Sequence, residues 1–359
     1  MLNPSQKLNP KIFDADVEQV PIRKGFGEGL LQAAEMNKQV VGICADLTES
    51  TAMLPFKQKF PDRFIEIGVA EQNLASVASG MAAMGKIPFI TSYAMFSPGR
   101  NWEQIRTTIA YNNVPVKIAG SHAGISVGPD GGTHQAVEDI AITRVIPRMV
   151  VISPCDAIEA KKATIAAAQT KDPTYIRLAR EKTPVITTAD TPFEIGKAQV
   201  VFRTEIIPRS TTTPFKKGDS TTEALHHRFK KGETTTDVGI IATGALLHRA
   251  LKTAKKLEEE GRSVTVMNIS TIKPLDVDAV IRLAHESRAL ITVEEHQIAG
   301  GLGSAVAECL AAHFPVPIEF VGVKDEFGQS GTQEQLIEHY GMAEKDIYSA
   351  AQKVILRKN

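Results

Sequence analysis

Between residues 21 and 196, short apolar runs alternate with longer stretches whose apolar positions recur every three or four residues. The short runs, bounded by Gly, Pro and Asp, predict strands at 40–44, 64–67, 89–91, 116–119, 149–152 and 175–178. The stretches between them predict helices at 24–36, 71–84, 101–111, 135–145 and 157–168. Local start signals support two of these: Ser97-Pro98 ahead of the third, and Pro154 with Asp156 ahead of the fifth. Strands that alternate with helices are joined by crossovers, which favours a mostly parallel sheet. The rhythm resumes at Asp237, with strands expected at 238–242, 263–267, 290–293 and 318–321. Helices of this second block are expected at 246–260, 277–286, 302–312, 333–339 and 344–356. The pattern thus predicts the α/β class, as two consecutive domains on mostly parallel sheets.

Residues 203–236 break the periodicity and are crowded with Thr, Lys, Arg and Gly. They read as a linker carrying an insertion. The expected layout is an N-terminal extension over 1–20, a first domain over 21–200, the linker over 201–236 and a second domain over 237–359. Seven Lys or Arg face four Asp or Glu in 203–236, and a solvated loop accounts for this better than contact with a polyanion. No repeat of short period is visible.

Composition narrows the function classes. Of 359 residues, 43% are apolar and 23% charged, ordinary values that exclude a disordered or fibrous chain. Lys plus Arg and Asp plus Glu number 41 each, so no global field draws the chain to nucleic acid or an anionic membrane. Any anionic ligand must be caught by local groups. Cys44, Cys155 and Cys309 are odd in number and far apart, which argues against a disulfide framework and a Cys-rich metal site. A reducing, cytoplasmic setting is expected. No apolar run approaches the roughly 18 residues of a membrane span, and the polar first residues lack the pattern of a signal peptide.

Candidate chemistry concentrates in the first block. In Phe64-Ile-Glu-Ile-Gly-Val-Ala-Glu-Gln-Asn73 an apolar strand turns at Gly68 into a helix with Glu71 in its first turn. An acidic residue there is explained by the helix dipole alone. It also stands at the C-terminal edge of a parallel strand, where open α/β sheets bind ligands. Three further strings follow the same order along the chain: Val41-Gly-Ile-Cys-Ala-Asp-Leu-Thr-Glu-Ser50, Ser92-Tyr-Ala-Met-Phe-Ser-Pro98, and Ser121-His-Ala-Gly-Ile-Ser-Val-Gly-Pro-Asp-Gly-Gly-Thr-His-Gln135. Taken together with the Glu71 segment, they resemble the pyrimidine-binding domain of transketolases. The second block is similar to the transketolase C-terminal domain. The resemblance runs from about Pro21 onward, apart from the insertion.

The resemblance implies an enzyme dependent on thiamine diphosphate that transfers a two-carbon ketol unit between sugar phosphates. Glu71 stands where the family holds a glutamate against N1′ of the aminopyrimidine, favouring the imino tautomer that takes the proton from C2. Phe96, with Tyr93 beside it, matches the aromatic platform for that ring; an aromatic pair is otherwise core filling. Asp46 and Leu47 match cofactor-lining positions. Arg23, Ser50, His122 and Arg180 occupy the places that hold the substrate's terminal phosphate, a task suited to guanidinium forks and small donors. Individually, the arginines also read as surface charges and Ser50 as a helix cap. Asp130 matches the residue that bonds a substrate hydroxyl, and His134 one near the reacting carbonyl. The set His122, Asp130 and His134 has a metal-cluster alternative, and Asp130-Gly131-Gly132 a plain turn reading.

Transketolases bind the diphosphate through Mg²⁺ with a Gly-Asp-Gly motif followed by Asn on a preceding domain, and no such string in suitable context occurs in this sequence. The resemblance therefore implies one subunit of a split transketolase. Its partner would be an N-terminal subunit supplying the diphosphate and Mg²⁺ ligands, in an assembly of two copies of each chain. Neighbouring readings on the same scaffold are a 1-deoxyxylulose-5-phosphate synthase and the β subunit of a 2-oxo acid dehydrogenase. A catalytically silent scaffold is the reading outside enzymes. Gly300-Gly-Leu-Gly303 lacks the spacing of a dinucleotide fingerprint and is expected to serve helix packing or an interface.

Overall fold

The computed structural model describes residues 1–204 and 236–358, so the insertion expected at 203–236 lies almost wholly outside the described residues. The first block opens with a short strand β1 (Gln19–Pro21), whose Pro21 immediately precedes helix α1 (Ile22–Met36). Strand β2 (Val40–Cys44) is buried at every position. A continuous apolar run of this kind is what a parallel strand needs when helices cover both faces of its sheet. Helix α2 (Leu54–Lys59), strand β3 (Phe64–Glu66), helix α3 (Glu71–Ala83) and strand β4 (Ile87–Tyr93) follow. A single turn α4 (Trp102–Gln104) continues as a π-helix over Ile105–Ala110, and then come β5 (Lys117–Ser121) and α5 (Asp139–Arg144). Strand β6 (Val150–Ile152), helix α6 (Ala157–Ala168), strand β7 (Thr174–Arg177) and strand β8 (Lys182–Pro184) complete the block.

The second block holds β9 (Gln199–Arg203), β10 (Val238–Ala242), α7 (Leu247–Glu259), β11 (Val264–Asn268) and β12 (Thr271–Lys273). It ends with α8 (Val277–Ser287), β13 (Leu290–Gln297), α9 (Leu302–His313), β14 (Ile318–Val323), α10 (Gln333–His339) and α11 (Glu344–Leu356).

Two principal sheets result, and the expected α/β class with mostly parallel sheets is what the chain adopts. The first has the order β12-β6-β7-β5-β4-β2-β3, parallel except where β12 runs against β6. The second has the order β14-β13-β10-β11-β9, parallel except for β9. From β2 the chain steps outward to β3 and then crosses back to β4 on the other side. That reversal is a topological switch point, and it opens a crevice beyond the C-terminal ends of β2 and β4.

The two blocks interlock. Strand β12 follows three strands of the second block yet pairs with β6, Thr271 opposite Ile152. One core cluster joins Val151 and Tyr175 of the first block to Ile269, Ile272 and Val280 of the second. The polar N-terminal segment is anchored too: Ile12 is fully buried in the second core, and its carbonyl accepts a 2.8 Å hydrogen bond from His248 Nε2.

Several elements differ from their sequence expectation. The helix expected at 135–145 begins only at Asp139, because Ala136 bridges to Ala123 and the Gln135 amide donates to the carbonyls of Ile125 and Gln329. The helix expected at 101–111 is mostly π-helical. Strands β1, β8 and β12, three residues each and rich in Pro, Thr, Lys and Gln rather than lying in an apolar run, have no counterpart among the expected strands. The glycines at 300–303 serve packing: a Cβ on Gly301 would fall 2.0 Å from Glu294 Oε2. That carboxylate accepts the Leu302 and Gly303 N–H groups at 2.7 Å and so caps α9. Among the described residues no helix is long and apolar enough to cross a membrane.

Candidate active site

The crevice at the switch point is built around Glu71. Strand β3 ends at Glu66, Gly68 turns the chain with φ +79°, and α3 begins at Glu71 itself. The Glu71 side chain is 2% exposed. Its Oε1 accepts from Ser92 Oγ at 3.1 Å, and its Oε2 lies 2.6 Å from Arg100 Nη1. Asn101 Nδ2 donates to the Glu71 carbonyl at 2.9 Å. A residue placed only for the helix dipole would have no need of burial; this one is held from β4 and from the turn after it.

An aromatic and imidazole group lies beside this carboxylate. The Tyr93 and Phe96 rings are 6.3 Å apart and nearly parallel, and Tyr93 stacks on His122 at 3.9 Å. Phe96 meets His134 edge-on at 5.3 Å. His122 follows the end of β5 with φ +55°, and its Nδ1 is 2.9 Å from Ser121 Oγ. Burial, reinforced by the charges of Arg23, Arg180 and His134, pushes its pKa down to about 3, so the imidazole is neutral at ordinary pH. His134 Nδ1 lies 3.0 Å from Thr133 Oγ1.

The two arginines flank this group. The Arg23 guanidinium donates to the Arg180 carbonyl, and burial holds its pKa below the usual value. Arg180 donates to the Val127 carbonyl and stands 3.7 Å from the Asp130 carboxylate and 3.6 Å from that of Glu181. Two partly buried guanidinium groups beside a neutral imidazole offer the positive charge and N–H donors that a compact dianion would require.

The β2 end supplies the remaining positions. Asp46 has φ +56°, and its N–H donates to Glu66 Oε1 at 2.6 Å, while Thr48 Oγ1 donates to Glu66 Oε2 at 3.0 Å. Glu66 thereby pins the turn bearing Asp46 and Leu47. Leu47 is half-buried against the core formed by α1, β2 and β4. The Ser50 turn reaches α1 through Ala52, whose carbonyl faces Gly27. Among the described contacts none ties Ser50 to Arg23 or His122. The structure thus links Glu71, Arg100, Phe96, Tyr93, His122, His134, Arg23, Arg180 and Asp130 through mutual contacts or charge interactions, while Asp46, Leu47 and Ser50 stand at the end of β2 without a described contact to them.

Residues that sequence reasoning passed over complete the site. Arg100, the counter-ion of Glu71, sits one helical turn after Phe96 and donates its N–H to the Phe96 carbonyl at 2.9 Å. That four-residue spacing from an aromatic residue was the available signal. Glu295 lies on β13 of the second block, and its Oε1 accepts the Ser126 N–H at 2.5 Å. Arg177 bridges Asp139 Oδ2 at 2.8 Å and the Glu295 carbonyl at 2.8 Å. These groups fix the loop carrying His122, Asp130 and His134 from beneath, across the junction of the two blocks.

The cofactor implied by the resemblance fits these residues in its pyrimidine half. A flat nitrogen heterocycle requires a buried carboxylate at one edge and an aromatic face, and Glu71 with Phe96 and Tyr93 presents both. Among the described residues no group of three or more His, Cys, Asp or Glu is placed to hold a metal ion.

Comparison with known proteins bears on the fold and the family. The model of the transketolase pyrimidine-binding domain matches residues 18–185, and that of the transketolase C-terminal domain matches 229–347. A putative transketolase C-terminal section of Methanocaldococcus jannaschii is 38% identical over 324 residues, covering 89% of this chain and 92% of its own. A 6-deoxy-6-sulfo-D-fructose transketolase subunit of a Clostridium species is 36% identical over 347 residues, covering 97% of this chain and 98% of its own. A solved structure described as a split-gene transketolase in an inactive β4 tetramer superposes with a TM-score of 0.80 at 38% identity, over 95% of this chain and 100% of that one.

Proposed function

The chain belongs to the transketolase family, and on that premise we propose that it is one subunit of a split transketolase. It would complete a thiamine diphosphate site from the pyrimidine side and move a two-carbon ketol unit from a ketose phosphate to an aldose phosphate. The observation that carries this reading is the buried Glu71 carboxylate beside the Tyr93–Phe96 pair, in the same crevice as Arg23, Arg180 and His122.

When bound, thiamine diphosphate supplies at its C2 the carbon that accepts and releases the ketol unit. This chain's residues prepare the place. Glu71 offers its buried carboxyl group to the N1′ edge of the aminopyrimidine, to share a proton with that nitrogen. Phe96 and Tyr93 offer the ring a flat apolar face, and Asp46 with Leu47 closes the side nearest β2. Arg23, Arg180, Ser50 and the neutral His122 receive the terminal phosphate of the sugar. Asp130 accepts from a substrate hydroxyl, and His134, edge-on to Phe96, stands by the reacting carbonyl. The Mg²⁺ and diphosphate ligands are assigned to a separate N-terminal subunit, in an assembly of two copies of each. That the similar split-gene structure is an inactive β4 tetramer supports a chain that does not work alone.

The test is reconstitution. The purified chain should show negligible ketol transfer, and the separately encoded subunit, thiamine diphosphate and Mg²⁺ should restore it. In the restored complex Glu71→Gln should abolish transfer while leaving assembly intact. Ketol transfer by this chain alone would remove the split reading, and full activity of Glu71→Gln would remove the cofactor assignment.

A further inference from the structure

Arg100 takes both of the contacts that the reading above assigns to an aminopyrimidine ring. Its Nη1 is 2.6 Å from Glu71 Oε2. Its guanidinium carbon is 4.7 Å from the centroid of the Phe96 ring. A guanidinium is planar, delocalised, positively charged and rich in in-plane N–H donors. A protonated aminopyrimidine shares all four properties. Two flat cations cannot both use the same carboxylate oxygen and the same ring, so one must leave before the other enters.

The structure shows which of the three groups is free to move. Glu71 is 2% exposed and held by Ser92, and Phe96 is packed between Tyr93 and His134. The Arg100 side chain is 48% exposed, and among the described residues its only side-chain hydrogen bond goes to Glu71. Arg100 and its neighbour Gly99 are both exposed residues of the turn. A carboxylate left buried without a counter-charge would destabilise the chain, so an internal cation is useful for as long as the ring is absent.

We propose that Arg100 is a stand-in for the pyrimidine: in the free chain it neutralises Glu71 and covers Phe96, and it swings out when the cofactor enters. This rests on the reading of the crevice as a thiamine diphosphate site. It makes cofactor affinity depend on the fraction of molecules in which Arg100 has already withdrawn, since apparent affinity falls with the population of the competent state. The residue acts on Glu71 and the ring platform, and is therefore a positioning residue.

The experiment compares wild type, Arg100→Ala and Arg100→Gln in the complex with the separately encoded subunit, titrating thiamine diphosphate at fixed Mg²⁺ by calorimetry. Arg100→Ala should bind the cofactor at least tenfold more tightly, and Arg100→Gln, which keeps length and a donor but no charge, should tighten it less. A second readout uses thermal unfolding of this chain by itself. There, Arg100→Ala and Glu71→Gln should be strongly non-additive, and the same pair should be uncoupled in the cofactor-loaded complex. Should Arg100→Ala fold poorly, Arg100→Gln carries the same expected direction. Equal or weaker cofactor binding by the variants, with normal binding by wild type, overturns the stand-in role and leaves the proposed function intact. Absence of cofactor binding by the wild-type complex, even with Arg100 and Glu71 coupled in the free chain, brings down both.

Discussion

Glu71 opens α3, and its charge there is accounted for by the helix dipole; what the dipole does not account for is a carboxylate tied to Ser92 and Arg100 out of reach of water. His122 shows the same excess of arrangement over local need. It adopts a left-handed backbone, stacks on Tyr93 and remains neutral through burial beside Arg23, Arg180 and His134. The consequence for stability has a definite sign. The unfolded histidine takes a proton below its ordinary pKa of 6.5, whereas the folded one resists until about pH 3. Protons therefore favour the unfolded state in that window, and stability intact above pH 6.5 declines as the pH falls. The stability of wild type minus that of His122→Asn, measured by denaturant titration, should shrink between pH 6.5 and 4, by at most about 1.4 kcal/mol per pH unit. A difference that is flat with pH would show that His122 is not held neutral.

At the scale of elements, α1 and α6 set where the arginine side of the crevice stands. They approach so closely that a Cβ on Gly25 would fall 1.7 Å from the Ala157 carbonyl oxygen, and one on Gly29 would fall 2.7 Å from that of Lys161. Backbone atoms cannot yield as a flexible side chain can. Gly25→Ala should therefore push the helices apart, cost about 1–3 kcal/mol and lower Tm by several degrees. Arg23 lies two residues earlier on the same helix, so affinity for a phosphorylated sugar should drop with it. Gly80→Ala is the control: a Cβ there meets nothing within 4 Å. In the free chain it should be neutral or stabilise α3 by about 0.5–1 kcal/mol. The expectation of helix from residue 135 failed at this scale because Gln135 spends its amide on Ile125 and Gln329. A side chain committed to another segment can override a helical pattern that is locally sound.

At the scale of the molecule, the two blocks behave as one folding unit in their contacts. Strand β12 closes the edge of the first sheet, Arg177 and Glu295 bond across the junction, and residues 1–12 lie against the second core. Calorimetry of the full chain should give a single transition, and residues 1–204 produced alone should lack cooperative unfolding, having lost both a sheet edge and half of a shared core. Two well-separated transitions would show instead that each block is stable without the other.

The residues themselves determined the class of the fold, because period two and period 3.6 report directly which side chains face an interior. Glu71, Phe96, His122, Arg23 and Arg180 were singled out by the resemblance of four ordered strings to a known family, which is sequence information that periodicity does not carry. What periodicity does not encode is whose interior a segment joins. That Thr271–Lys273 would complete the distant sheet, that Glu295 would brace the loop of His122, and that Arg100 rather than solvent would meet Glu71 were decided by tertiary packing. The physical reason is that a hydrogen bond or ion pair between residues far apart in sequence leaves no local trace. It exists only once the burial of two sheets has brought its ends together.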